Sequence, residues 1–158
     1  MKFLEVNNLD IEYQTRKETI YASKNVSFNL QRGEIIGIVG ESGSGKSTVA
    51  NAIINLIDKP GIITNGSIKL DGSELRNNAD VIKSIRGKKI GFVFQDPQTS
   101  LNPLFKIKDQ LIETIQTHSD LNYKEAKTKS INLLREVGIE NPEKRIDDYP
   151  HQFSGGMR

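Results

Sequence analysis

Apolar positions near the N-terminus come in short clusters separated by polar pairs. Phe3–Val6 and Leu9–Tyr13 predict two short strands with an Asn7-Asn8 turn between them. Residues 14–19 are polar and predict a loop. Within Ile20–Leu30, Val26, Phe28 and Leu30 alternate with Ser27 and Asn29, the period of a third strand. Gln31-Arg32-Gly33 then turns the chain into Ile35–Val39, a β-branched run bounded by Gly33 and Gly40 that predicts a buried strand. From Thr48 on, Val49, Ala50, Ala52, Ile53 and Leu56 predict an amphipathic helix.

Lys59-Pro60-Gly61 interrupts the pattern. Ser67–Leu70 predicts a strand ending at the Asp71-Gly72 turn, Val81–Arg86 a short helix, and Ile90–Phe94 an apolar strand. The period changes after Pro97. Ile107, Leu111 and Ile115 share one helical face. Asn122 is placed to cap a helix carrying Tyr123, Ala126, Leu133, Leu134 and Val137, which Gly138 ends. The pattern therefore predicts an antiparallel β lead-in, an α/β core over 1–96, a helical part over 97–150, and a short last segment, 151–158.

Composition narrows the classes. The 158 residues fit one domain or a large piece of one, and 35% of them are hydrophobic, below the usual share for a compact domain. That deficit points to an incomplete core or to surface meant for partners. A net charge of +2 gives no argument for nucleic acid, and the cluster Arg86-Gly-Lys88-Lys89 reads as a solvated turn. With no cysteine there is no disulfide framework and no thiolate metal site. The first residues, Met1-Lys2-Phe3-Leu4-Glu5, lack a signal-peptide core, and no apolar run nears the roughly eighteen residues of a membrane span. The expectation is a soluble chain that reaches any membrane through a partner.

Gly40-Glu41-Ser42-Gly43-Ser44-Gly45-Lys46-Ser47 has the spacing of a phosphate-binding loop, between a predicted strand and a predicted helix. The residue types follow from the charge of a β,γ-diphosphate. Gly43 and Gly45 let backbone N–H groups approach phosphate oxygens with no Cβ in the way. The first helical turn, through Thr48, adds unpaired N–H groups and a positive dipole end. Lys46 brings a full positive charge, and Ser47 a hydroxyl for Mg²⁺.

Gln95 and Asp96 follow the apolar run Ile90–Phe94. A polar residue at the C-terminal end of a parallel strand points into the ligand crevice. There Gln95 can offer its carbonyl oxygen to Mg²⁺, Asp96 can serve as a metal-holding carboxylate, or Asp96-Pro97 can be an ordinary turn. Chemistry alone does not choose among these. Ser154-Gly155-Gly156 adds a hydroxyl and several N–H groups, a second anion-binding nest.

Together these features resemble the ATP-binding cassette family, the ATPase subunits of ABC transporters. Gly40–Thr48 matches its Walker A motif, Gln95 the glutamine of its Q-loop, and Ser154-Gly155-Gly156 the centre of its LSGGQ signature. Phe153 and Met157 depart from the outer letters of that signature. Those departures, with Phe94-Gln-Asp-Pro-Gln-Thr-Ser-Leu-Asn-Pro103, resemble the dipeptide/oligopeptide/nickel importer subgroup, over the whole chain.

The resemblance implies a P-loop NTPase fold with a helical insert, ATP and Mg²⁺ as ligands, and Lys46 and Gln95 as catalytic groups. It implies Ser47 and Gln95 on the metal, and Gly40, Glu41, Ser42, Gly43, Ser44, Gly45, Lys46, Ser47, Thr48, Ser154, Gly155 and Gly156 around the nucleotide. It also implies an aromatic residue stacked on adenine, with Tyr13 at the matching position and Tyr21 as runner-up. His118 and His151 match no family position and read as structural. The implied partners are membrane-spanning permease subunits, a second ATPase subunit and, indirectly, an extracytoplasmic substrate-binding protein, at the cytoplasmic face of the cell membrane.

In the family, an apolar strand ending in Asp-Glu and a switch histidine follow the signature, and residues 1–158 contain neither. The sequence therefore implies a chain truncated before that strand, silent in ATP turnover by itself, with Ile35–Val39 left as an exposed apolar edge. A binding-only module docking on a permease or partner cassette is the alternative of another class. A small kinase using Asp96 leaves Ser154–Gly156 unexplained, and a GTPase lacks an Asn-Lys-x-Asp motif.

Overall fold

The computed structural model describes residues 2–96 and 100–158, so Pro97, the turn expected with Asp96, lies outside the described residues. The chain forms two compact units, Met1–Ile90 and Gly91–Arg158.

The first unit is built on a four-stranded antiparallel sheet in the order β2-β1-β3-β4. β1 spans Lys2–Gln14, β2 Thr19–Gln31, β3 Gly61–Leu70 and β4 Ser73–Glu74. The two strands expected on either side of Asn7-Asn8 are one strand. Leu4 and Val6 are buried, and so are Leu9 and Ile11, which stand one position out of phase with the first pair. A bulge at Asn7-Asn8 absorbs the odd residue, with Asn8 at φ +47° and register shifts against both neighbouring strands. Without it, one apolar pair would face solvent. Gly66 makes room: a Cβ there would lie 2.6 Å from the carbonyl oxygens of Asn7 and Asn8.

Helix α1, Lys46–Ile53, turns Val49 and Ala52 toward the sheet. Helix α2, Ala79–Ile85, adds Ile82 and Ile85, and the Asn78 side chain caps it by accepting from the Val81 N–H. Val6, Leu9, Ile11, Ile68 and Leu75 are almost wholly excluded from water, each such side chain being worth about 1.5–3 kcal/mol. Asp71 and Gly72 both take positive φ and close the tight β3–β4 turn.

Arg86 ties α2 to the end of α1. Its Nε and Nη2 both donate to the Ile54 carbonyl, Nε at 2.8 Å, and Nη2 also donates to Asn55 at 2.7 Å. These carbonyls have no partner within the helix, and a cation there also suits the helix dipole. Arg86→Ala should therefore lower unfolding free energy by about 2 kcal/mol. A urea midpoint shifted with unchanged m-value checks this; an unmoved midpoint would mean water replaces the guanidinium at no cost.

Two expected strands are not strands. Residues 34–40 and 91–94 pair with no other strand among the described residues. Ile35, Val39 and Val93 are each more than 90% exposed. The apolar character of both runs is real, but burial needs neighbours on both sides, and the sheet ends at β2 and β4.

The second unit is helical: α3 Ile107–His118, α4 Tyr123–Glu136, α5 Pro142–Arg145 and a 3₁₀ turn at Pro150–Gln152. Asn122 caps α4 as expected, in a full capping box with Glu125, and Gly138 at φ +81° follows its end. Ile107, Ile139 and Phe153 form the core, with Leu101, Leu111, Leu134 and Met157 packed around them. Lys108 and Asp147 pair at 2.6 Å, which raises the lysine's pKa and lowers the aspartate's.

Candidate functional site

In the first unit the phosphate loop rests against the edge strand β2. Gly43 and Gly45 take φ +82° and +86°, a region that costs other residues energy and glycine little. At Gly45 the approach to β2 is so close that a Cβ would lie 2.0 Å from the Ala22 carbonyl oxygen. At Gly40 a Cβ would meet the Ser44 hydroxyl at 2.7 Å. The loop closes on itself through the Ser44 N–H, which donates to the Glu41 carbonyl at 3.2 Å. Glu41, Ser42, Gly43 and Ser44 are exposed.

Lys46 begins α1, and its ammonium curls back over the loop. It donates to the carbonyls of Gly40 at 2.9 Å and Glu41 at 2.6 Å, and to the Ser44 hydroxyl at 3.3 Å. Gly45 is the N-cap of α1 and provides no side-chain cap. The N–H groups of Lys46, Ser47 and Thr48 therefore have no partner within the helix. An ammonium and a fan of backbone donors converge where an anion with several oxygens would satisfy them together. The Ser47 side chain is exposed beside them.

A cleft of 310 Å³ opens at this point. It is lined by Gly43, Gly45 and Lys46–Thr48 of the loop and helix and by Tyr13, Ile20, Tyr21 and Ala22 of the hairpin. Tyr13 is half-buried, whereas Tyr21 is 62% exposed with the Lys24 ammonium 5.6 Å from its ring. The hairpin thus brings both candidate tyrosines to the phosphate loop.

The other expected site residues lie in the second unit. Gln95 is exposed at the end of the 91–94 run. Ser154, Gly155 and Gly156 are exposed, and residues 155–157 form a turn. The Met157 and Arg158 N–H groups both donate to the Ser154 carbonyl at 3.1 Å. On either side of this turn, Phe153 and Met157 pack into the helical core, and the Arg158 Nε donates to the Phe153 carbonyl at 3.0 Å. The two departures from LSGGQ are thus the residues that anchor the exposed Ser-Gly-Gly. His118 ends α3, and His151 stacks on Tyr149 at 5.7 Å; neither lies among the residues lining the loop's cleft.

The family model described as ABC transporter matches residues 23–158, from β2 through the phosphate loop to the Ser-Gly-Gly turn. The chain belongs to the ABC transporter family. Its fold is that of the ABC ATPase cassette. A solved structure titled as the dimeric post-hydrolysis state of the ATP-binding cassette MJ0796, bound to ADP and Pi, superposes with a TM-score of 0.83 at 31% identity. That match covers 98% of this chain and 64% of the other. The oligopeptide transport ATP-binding protein OppD of Bacillus subtilis is 43% identical over 99% of this chain and 44% of its own length. The dipeptide transport ATP-binding protein DppD of Haemophilus influenzae is 40% identical over 99% of this chain and 48% of its own length. The cassette chain thus spans less than half of either relative. Among the described residues no helix is long and apolar enough to cross a membrane.

Sequence reasoning found the loop but missed its supports. Ala22 acts through its backbone carbonyl, which leaves no residue-type signal. Gly61, which touches Tyr13, reads in the sequence only as part of a turn.

Proposed function

We propose that the chain is the nucleotide-binding part of an ABC importer ATPase that drives uptake of peptides or nickel-type substrates. The observation that carries this reading is the Lys46 ammonium held over the loop carbonyls, beside the uncapped start of α1, in a cleft shared with Tyr13. The relatives' names as oligopeptide and dipeptide transport proteins support the substrate class.

The roles follow from charge and shape. Lys46 and the N–H groups of residues 43–48 hold the β- and γ-phosphates. Gly40, Glu41, Ser42 and Ser44 shape the loop, and Tyr13 stacks on the base. The Ser47 hydroxyl, exposed beside Lys46, also fits Mg²⁺, a hard cation that takes oxygen ligands, and would hold it. There it would neutralise charge on the transferring phosphoryl group. Ser154, Gly155 and Gly156 serve a nucleotide on the partner cassette of a dimer, which works with permease subunits at the inner face of the membrane and, through them, an extracytoplasmic binding protein.

Residues 1–158 bind nucleotide but supply no Asp-Glu pair after an apolar strand to orient the attacking water. Calorimetry should show Mg-ATP binding by this chain, and a steady-state assay no turnover. Turnover that Lys46→Ala abolishes would show that the chain completes the chemistry alone. No binding heat on a folded sample would refute the nucleotide reading.

A further inference from the structure

Gly61 opens β3 and is the residue opposite Tyr13 in the β1–β3 register. The space its missing side chain leaves is already taken. A Cβ at Gly61 would lie 2.8 Å from Cε1 of the Tyr13 ring, 2.5 Å from Cγ2 of Ile57 and 2.9 Å from the Asp58 carbonyl oxygen. The backbone around it is tied down: the Gly61 N–H donates to Asp58 at 2.8 Å and the Gln14 N–H to Pro60 at 3.3 Å. An aromatic ring lying over a cross-strand glycine is a compact pairing that any larger residue would break. Tyr13 also lines the cleft at the phosphate loop, so whatever fixes its ring fixes one wall of the space beside the triphosphate site.

We propose that Gly61 is a positioning residue for base recognition: it is the seat on which the Tyr13 ring lies, and it makes the site prefer a nucleoside triphosphate over bare triphosphate. The proposal rests on the reading that Tyr13 faces the base. Gly61 touches no ligand and bears on the site through that ring; overlap of a Cβ with Ile57 and the Asp58 carbonyl would cost stability as well. A side chain at position 61 displaces the ring and leaves the Lys46 loop, none of whose atoms is among those nearest to a Gly61 Cβ, as it was.

The test compares Mg-ATP with Mg-tripolyphosphate, which has the charge but no base, by calorimetry on the 158-residue chain. Gly61→Ala should weaken ATP about tenfold, the size of one aromatic contact, and leave tripolyphosphate within about twofold. Tyr13→Ala should do the same, and adding Gly61→Ala to it should cost nothing more. Equal weakening of both ligands, additive effects in the double variant, or unchanged ATP affinity in Gly61→Ala would each overturn the proposal. An inert Tyr13→Ala would instead remove the base-stacking reading beneath it. The seat itself is read without any variant, as a nuclear Overhauser contact between the Tyr13 ring and the Gly61 Hα protons. Those protons should shift on adding ATP and not on adding tripolyphosphate. If Gly61→Ala does not fold, this measurement decides: no contact, or the same shift with both ligands, rejects the seat.

Discussion

Lys46→Ala should raise the dissociation constant for Mg-ATP by at least about 100-fold while leaving the fold intact. The Lys46 ammonium donates to two loop carbonyls and one hydroxyl, all of them exposed. Losing those bonds exposes groups that water can solvate, so stability should barely change. With nucleotide, the same ammonium meets phosphate oxygens that carry full charge. A hydrogen bond to a charged group is worth about 1.5–3 kcal/mol, and two lost together convert to roughly 100- to 20,000-fold in affinity. Calorimetry measures this, with a thermal melt to show that the variant is folded. Lys46→Arg should recover only part of the affinity, because a planar guanidinium cannot curl back over the loop as an ammonium on a flexible stem does. Unchanged binding in Lys46→Ala would remove the basis of the nucleotide assignment.

Gly45→Ala should cost far more than Gly43→Ala, although both glycines have positive φ. At Gly43 a Cβ would find nothing within 4 Å, so only the left-handed backbone is penalised, at about 1–2 kcal/mol. At Gly45 the same penalty is joined by overlap with the Ala22 carbonyl at 2.0 Å. That oxygen belongs to Ala22 of β2, which sits at a register shift between Tyr21, paired with Glu12, and Ser23, paired with Ile11, so both of its neighbours limit how far it can retreat. The loop must lift off the strand, at a total of about 3–5 kcal/mol, near the upper end for single substitutions. Gly45→Ala should melt about 10 °C or more below the wild type and lose measurable Mg-ATP binding, while Gly43→Ala shifts by a few degrees. Similar melting temperatures for the two variants would mean that the contact with β2 carries no strain.

What the sequence made legible depends on how each feature is encoded. The phosphate loop was readable because its chemistry demands particular residue types at fixed spacing. Asn122 and Gly138 were readable for the same reason, since capping and left-handed backbone each favour a few side chains. Asn7-Asn8 was misread because asparagine serves equally in turns and in bulges; only the two flanking strand pairings reveal which. Ile35–Val39 and Ile90–Phe94 read as strands because an apolar run reports what a segment prefers; the exposure of Ile35–Val39 follows from the family resemblance, not from the run itself. Ala22 and Gly61 support the site through a carbonyl oxygen and an empty volume, neither of which has a signature in one-letter code.

The uncovered Ile35, Val39 and Val93 bear on how the polypeptide behaves in bulk. Short apolar stretches without charge are what seeds precipitation as concentration rises. The shelf life of these 158 residues in a tube will be governed less by their buried core than by these few uncovered side chains.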